Sequence, residues 1–238
     1  MIKHYESKKL GTFDYNDEEF EIGTRNIHGI ANYYLHYIGK GLSVDLPKGC
    51  IDTSYMFMNC ILPDGFHLGN FDTSNVKDMS LMFTDCKLPD GFSLGDKFDT
   101  SNVESTGGMF CKCKIPEGFT LGDKFNTSNV KDMECMFMDC ELPKGFSLGS
   151  EFDTSNVINM SYMFCCCKIP EGFSLGDKFD TSKVKDMKEM FGDCIISKGF
   201  SLGNKFYISN ANKSYMFAGA QFHENVFLKI TTNNKEDK

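Results

Sequence analysis

The chain has 238 residues, a formal net charge of -8 and a pI near 5.1. This acidic balance argues against direct binding of nucleic acid, because such surfaces neutralise phosphates with Lys and Arg. Phe, Met and Cys are abundant, at 23, 14 and 11 residues, and all three residue types are often buried.

Residues 1–45 show no repeat but carry clusters of apolar and aromatic residues. Phe13, Tyr15, Phe20 and Ile22 form the first cluster, and residues 33–38 form the second. β-Branched and aromatic residues favour strands. We therefore predict an N-terminal β-rich cap over residues 1–45. The segment Met1–Leu10 lacks the apolar core of a secretory signal, and no apolar run is long enough to cross a membrane.

From residue 46 to residue 217 the chain is organised by a repeat of 27 residues. The string Phe-Asp-Thr-Ser recurs at Phe71, Phe98, Phe152 and Phe179, with a close variant at Phe125. A Met-Phe pair followed by two residues and a Cys recurs in the same register, first at Met82-Phe83 and Cys86. Repeats of this length stack on their neighbours, so that each position forms a ladder. We expect about six repeats.

Three local patterns predict the shape of one repeat. The alternation in Gly91–Gly95 is typical of a strand with one buried face. Val76, Met79, Phe83 and Cys86 have spacings of three and four residues, which fit a short helical turn as well as a bent strand; the pattern alone does not separate them, and we prefer the short helical turn. Pro89, Gly91 and Gly95 mark corners. The predicted fold is a repeat solenoid with short parallel strands and short helical turns, capped at both ends.

The C-terminal part, residues 218–238, contains a short apolar run at Val226–Ile230. We predict a closing cap strand there, followed by a frayed polar tail from Thr231 onwards.

The string from Phe71 to Met79, followed by Met82-Phe83 and Cys86, resembles the repeats of BspA-like leucine-rich-repeat proteins. These include a repeat of unknown function from mycoplasma lipoproteins. The resemblance covers about three quarters of the chain. It implies that the repeat solenoid is leucine-rich-repeat-like and is used for protein contacts, often on bacterial surfaces, and it brings no catalytic residues. The link Leu88–Lys97 differs from that of many surface members.

The cysteines recur at one position of the repeat. An odd number of cysteines, with three of them consecutive at Cys165–Cys167, is a poor layout for disulfides and favours a reducing compartment. Ala220 stands where the next Cys is expected, which favours packing over metal ligation. A zinc site would need converging ligands. We expect neither a metal nor a cofactor. The recurring cysteines are Cys60, Cys86, Cys113, Cys140, Cys167 and Cys194.

The histidines do not suggest catalysis. Only His67 lies inside a repeat, and a Cys-His nucleophile pair needs one unique residue of each kind. We therefore predict that the chain is not an enzyme.

Two groups of residues are candidates for binding. The first is a charged corner that recurs between repeats, and the second consists of residues that break the repeat without an evident structural reason. The charged corner comprises Asp96, Lys97, Asp123, Lys124, Asp177 and Lys178. The repeat-breaking residues are Met138, Ile158 and Tyr162, together with Thr106–Gly108.

These observations predict a non-catalytic, cytoplasmic scaffold that binds a protein partner and neither nucleic acid nor membrane. The first alternative is an inhibitor from a phage or mobile element that blocks a nucleic-acid-binding enzyme through an acidic surface. Steep weakening of binding by salt would favour that alternative. The second alternative is a bacterial surface adhesin, which an upstream signal peptide would favour. The sequence does not identify the partner, the binding face or the oligomeric state.

Overall fold

Two antiparallel hairpins form the N-terminal part of the computed structural model, which describes residues 1–27, 29–209 and 211–224. Strand β1 (Ile2–Ser7) pairs with β2 (Gly11–Asn16), with Tyr5 opposite Phe13. Strand β3 (Phe20–Ile27) pairs with β4 (Ile30–Tyr37), with Phe20 opposite Tyr37. The aromatic clusters of residues 1–45 thus lie in these strands.

The remaining strands are two residues long and pair in parallel. Strand β5 (Ser43–Val44) pairs with β6 (His67–Leu68). Strands β7 (Lys168–Ile169), β8 (Ile195–Ile196) and β9 (Gln221–Phe222) form a three-stranded sheet in that order. Elsewhere, successive repeats are joined by isolated parallel bridges, such as Asp132 with Asn159.

The prediction of a leucine-rich-repeat-like solenoid with short helical turns is wrong. No helix occurs in residues 1–27, 29–209 or 211–224, and the repeat region consists mainly of turns, bends and irregular backbone. Its short strands form scattered small sheets and not the continuous parallel sheet of such a solenoid. The segment Gly91–Gly95 is not a strand, although Phe92 and Leu94 are buried and Ser93 is exposed as its alternation indicates.

Left-handed residues explain why the segment around each Met-Phe pair is not helical. In this segment of each repeat two residues have positive φ, one directly before the pair and one two residues after it. In the fourth copy these are Cys135 (φ 57) and Asp139 (φ 60). An α-helix of L-residues does not accommodate this conformation. The predicted helical spacing therefore corresponds to a series of tight turns. In the second copy, Asp78 accepts a hydrogen bond from the amide of Ser80 and so closes one of these turns.

Backbone hydrogen bonds in these turns alternate between two kinds of partner. The amides of Cys135, Phe137 and Asp139 donate to carbonyls of the next repeat, at 2.9, 2.9 and 2.7 Å. The intervening amides of Met136 and Met138 donate to the carbonyl three residues earlier. Because every second amide bonds outside its own repeat, a repeat satisfies its backbone only beside its neighbour.

Phenylalanine rings form columns that run from repeat to repeat. In one column, successive ring centroids are 5.2 to 5.6 Å apart, and in another they are 6.3 to 6.5 Å apart. Offset aromatic pairs at these distances add about 0.5–1.5 kcal/mol each beyond their area burial. The tighter column contains Phe57, Phe83, Phe110, Phe137, Phe164, Phe191 and Phe217. The looser column contains Phe71, Phe98, Phe125, Phe152, Phe179 and Phe206.

The recurring Asp-Thr-Ser-Asn string has a role at each position. In one repeat, Asp99 Oδ1 accepts from the amide of Ser101 at 2.8 Å and so closes a turn. The buried Thr100 hydroxyl donates to the carbonyl of Asn126 in the next repeat at 2.8 Å. The Asn102 amide group donates to the carbonyl of Ser74 in the preceding repeat at 2.7 Å. These bonds explain why the string recurs, and Asn126 replaces the Asp in one copy with the same bond to the amide of Ser128.

The two hairpins pack against the first copy of the repeat. The amide of Tyr37 donates to the carbonyl of Met56 at 2.8 Å, and the rings of Tyr37 and Phe57 are 5.4 Å apart. Gly11 forms an antiparallel bridge with Cys50. One contiguous hydrophobic core therefore runs from Leu10 to Met216.

The predicted strand Val226–Ile230 and the tail from Thr231 lie outside the described residues. No helix in the described part of the chain is long and apolar enough to cross a membrane.

Candidate binding face

One side of the repeats differs from copy to copy, and we call it the turn face. It consists of the residues directly before and after each Met-Phe pair, whereas the paired Met and Phe of the first six copies are fully buried. In the second to sixth copies the turn face comprises Leu81, Thr84, Gly108, Cys111, Cys135, Met138, Tyr162, Cys165, Glu189 and Gly192, and the same positions are occupied by Tyr55 and Met58 in the first copy and by Tyr215 and Ala218 in the last.

Gly108 creates a recess in this face. A Cβ at Gly108 would lie 2.5 Å from Cδ2 of Leu81, so this position admits no side chain unless Leu81 moves. The resulting recess has a volume of about 310 Å³ and is lined by Leu81 and Cys135 on its apolar side and by Asp132 and Glu134 on its polar side. The repeat-breaking segment Thr106–Gly108 therefore shapes a concave site.

The edge of the turn face is acidic. Asp132 Oδ1 accepts from the amide of Glu134 at 3.1 Å, and Glu134 Oε2 accepts from Asn159 at 3.3 Å. Within the described residues, neither carboxylate forms an ion pair. Asp85, Asp139 and Asp193 are exposed at the equivalent left-handed position of three repeats. The face thus combines apolar side chains with negative charge.

Met138 and Tyr162 both lie on the turn face, in adjacent repeats. The Tyr162 hydroxyl is 3.4 Å from Glu189 Oε1, and the Lys188 ammonium lies 5.3 Å from the centre of the Tyr162 ring. This ring is thereby oriented by charges of the following repeat. Ile158 lies elsewhere, in the row of Lys131 and Lys185, where its side chain is 41% exposed and its backbone bonds to both neighbours.

The β3–β4 hairpin covers the turn face at the first copy. The Arg25 guanidinium lies 5.6 Å from the Tyr55 ring centre and 3.9 Å from the Met58 sulfur. Tyr34 contacts the same tyrosine ring, with centroids 5.1 Å apart. Tyr55 and Met58 occupy the turn-face positions of this copy, so the uncovered part of the face begins at Leu81.

The charged corner is a separate region. Lys97 donates to Asn70 one repeat earlier, and Lys178 lies 3.3 Å from Glu151, also one repeat earlier. Exposed ion pairs of this kind contribute about 0–1 kcal/mol. The remaining corner residues are exposed, and Asp96, Asp123 and Lys124 border a second recess of about 360 Å³. No hydrogen bond, ion pair or ring contact between described residues joins this corner to Met138 or Tyr162.

The outward row of hydroxyls beside this corner closes turns. The hydroxyl oxygens of Ser93, Ser147, Ser174 and Ser201 each accept from the amide of the glycine two residues later, at 3.1 to 3.2 Å. A local bond of this type gives the row a structural role.

The recurring cysteines pack inside the core. Cys140, Cys167 and Cys194 donate their thiols to Phe carbonyls of the preceding repeat at 2.9, 2.8 and 2.8 Å. Burial raises the pKa of the Cys140 thiol and of the Cys194 thiol to about 12. Such thiols are poor nucleophiles. Among the described residues, no group of three or more His, Cys, Asp or Glu side chains is arranged to hold a metal ion.

Sequence reasoning found Met138 and Tyr162 singly and missed the surface that joins them. The signal was the repeat register itself: positions adjacent to each invariant Met-Phe pair vary most, and they lie one above another once the repeats are aligned.

A family model described as a mycoplasma protein of unknown function, DUF285, matches residues 51–164 and again residues 122–230. The two overlapping matches together cover more than half of the chain. No curated protein and no solved structure matches it.

Proposed function

We propose, from the premise that this chain belongs to the mycoplasma repeat family DUF285, that it is a non-catalytic repeat protein that binds a protein partner through its turn face. The resemblance to BspA-like repeats implies the same general role. Buried free thiols at most copies of the repeat support a reducing compartment such as the cytoplasm.

One observation carries this proposal: the repeats are nearly identical where they stack and differ where the turn face is partly exposed. The core positions are fixed by ring columns and inter-repeat hydrogen bonds. The turn face places Leu81, Met138 and Tyr162 in partly exposed positions. Met adapts to irregular partner surfaces, and Tyr is enriched among residues that dominate binding energy.

The charge of the face favours a basic partner segment. An apolar side chain fits the recess at Gly108, while Lys or Arg side chains would face Asp132 and Glu134. Complementary charge mainly increases the association rate and the specificity of such contacts.

Affinity capture with matched variants tests the proposal. The test variant combines Met138→Ala with Tyr162→Ala, and the control combines Asp123→Ala with Lys124→Ala in the charged corner. Both forms are used as bait in an extract of the organism that carries the gene. We expect the test variant to lose the captured partner at least about tenfold, because a central Tyr contributes roughly 2 kcal/mol. Equal loss with both variants, or loss with the control alone, would refute the proposal.

A second candidate function is supported by the acidic rim. Asp85, Asp139 and Asp193 stand at equivalent positions of alternate repeats, with Lys112 and Cys166 between them. Three carboxylates on one surface are suited to occupying a groove that normally binds nucleic-acid phosphates. Binding through charge mimicry should weaken steeply between 50 and 500 mM salt, whereas binding anchored by Met138 and Tyr162, with only Asp132 and Glu134 facing basic side chains, should weaken much less. Measuring the dissociation constant of the captured complex across this range separates the two functions.

A further inference from the structure

Two adjacent cysteines on and beside the turn face direct their sulfurs towards each other. The Sγ atoms of Cys165 and Cys166 are 3.6 Å apart. Consecutive side chains in an extended segment point to opposite sides. Here the chain turns, because Cys166 has a φ of 60° and its amide donates to the carbonyl of Gly192 in the next repeat at 2.8 Å.

The left-handed position of Cys166 favours Asn, Asp or Gly on conformational grounds. Most other copies follow this preference, at Asn59, Asp85, Asp139, Asp193 and Gly219, and Lys112 is the exception. A cysteine in this conformation costs about 1–2 kcal/mol and does not stabilise the turn in return. Strained residues of this kind cluster at functional sites.

Ligands reach the pair through Cys166, because Cys165 itself is buried. Cys166 is exposed, unlike the other ten cysteines. Above Cys165 the next repeat has Gly192, and a Cβ at that glycine would lie 3.6 Å from the Cys165 sulfur. Met138 occupies the position equivalent to Gly192 in the repeat before Cys165. The fold therefore accommodates a larger side chain at this position of the repeat. Gly192 therefore places no side chain against the sulfur.

We propose that Cys165 and Cys166 form a dithiol site that binds a thiophilic centre, of the class represented by trivalent arsenic and soft metal ions, through both sulfurs. With bonds of roughly 2.3 Å to each sulfur, a separation of 3.6 Å corresponds to an angle of about 100° at the bound centre. That angle suits a pyramidal or tetrahedral centre. Soft thiolate ligands select such ions.

The reaction with an organic arsenic(III) oxide is balanced without any oxidant. Two arsenic–sulfur bonds form while the arsenic–oxygen bond breaks. The two thiol protons leave with the oxide oxygen as one molecule of water, and no atom changes its oxidation state. Burial, and to a lesser degree the hydrogen bond with Cys166, raises the pKa of the Cys165 thiol to about 12. Cys165 alone is therefore a weak nucleophile, and chelation by the pair supplies the affinity.

Phenylarsine oxide is the probe for this site, with variants drawn from other copies of the repeat. Cys166→Asn copies Asn59, and Cys165→Met copies Met138, so both substitutions suit the turn. The controls are Cys111→Met and Cys135→Tyr, which copy Met138 and Tyr162 at turn-face positions of other repeats. Intact-mass spectrometry measures the adduct, and the midpoint of thermal unfolding, Tm, is measured with and without the probe.

We expect one arsenical per wild-type chain, retained against a monothiol and removed by 1,2-ethanedithiol. Each test variant should lose affinity by roughly a hundredfold or more, because one of two linked bonds is lost. Both controls should keep the adduct. The wild-type Tm should rise with the probe, since a ligand that binds the folded state stabilises it. An unchanged adduct in either test variant, loss of the adduct in a control, or a Tm that falls with the probe would overturn the proposal. None of these outcomes depends on the identity of the protein partner.

Discussion

Buried threonines show how single residues determine the contact between repeats. Thr73, Thr100, Thr127 and Thr154 are fully buried, and each hydroxyl donates to a carbonyl of the next repeat at 2.8 to 3.0 Å. A buried carbonyl without a donor costs roughly 1–3 kcal/mol. Valine has nearly the same shape as threonine but lacks the hydroxyl, so it isolates this contribution.

We predict that Thr127→Val lowers the free energy of unfolding by about 1–3 kcal/mol, because the Asp153 carbonyl loses its partner. Thr127→Ser, which keeps the hydroxyl, should cost less than the valine variant. Thr120→Val, at an exposed position of the same repeat region, should stay within about 0.5 kcal/mol. Urea denaturation of the four proteins measures the difference, and equal stability of Thr127→Val and wild type would contradict the ladder.

Asp52 is a buried carboxyl whose ionisation opposes folding. Its Oδ1 accepts from the Ser54 amide at 2.8 Å, and Lys9 lies 3.5 Å from Oδ2. Burial has the largest effect on its pKa and raises it above the ordinary 3.8. The hydrogen bond from the Ser54 side chain has the next largest effect and lowers it. Because the pKa is raised in the folded state, the protonated Asp52 carboxyl favours folding. This contribution to stability is fully present below pH 3.8 and is lost as the pH rises through the folded-state pKa.

We therefore predict that Asp52→Asn gains stability relative to wild type as the pH rises from 4 to 7, because the amide does not ionise. The Tm of both proteins, measured at several pH values, gives this difference. A difference that stays constant or shrinks with rising pH would show that the carboxyl is not destabilised by burial.

At the scale of the element, the turn segment was the main failure of sequence reasoning. Spacings of three and four residues among Val76, Met79, Phe83 and Cys86 are shared by a helix and by a series of three-residue turns, so periodicity did not separate them. Asn59 and the aspartates at the equivalent positions were the missed signal, since Asn and Asp are enriched in the left-handed region. The inward direction of Phe92 and Leu94 was predictable because burial alternates with or without a strand.

Lys112 tests this backbone directly, because its φ is 55° and its side chain is exposed. Lys112→Val should lower the free energy of unfolding by about 1–2 kcal/mol, since a β-branched residue is disfavoured with positive φ. Lys112→Gly should stay within a few tenths of a kcal/mol of the wild-type stability. Lys114→Val should have little effect, because Lys114 does not have a positive φ. Chemical denaturation measures all three. If the valine variant at 112 were as stable as that at 114, the left-handed turn would be disproved.

At the scale of the whole molecule, the sequence predicted which residues lie above one another but not how much regular secondary structure would join them. The 27-residue register correctly aligned Phe83 with Phe110 and Phe137, because ring packing follows the register whether or not sheets form. Sheet formation was overestimated, since many inter-repeat hydrogen bonds occur singly between turns. The proposed binding face became apparent only after Gly108, Met138 and Tyr162 had been placed on one surface.

Site-specific photo-cross-linking tests the central claim, that the turn face contacts a protein partner. A benzophenone amino acid would replace Met138 on the turn face or, in a second protein, the exposed Thr120 beside the charged corner. After irradiation in an extract of the source organism, we expect a covalent protein adduct from position 138 and none from position 120. An adduct from position 120 with none from position 138 would contradict the proposed function.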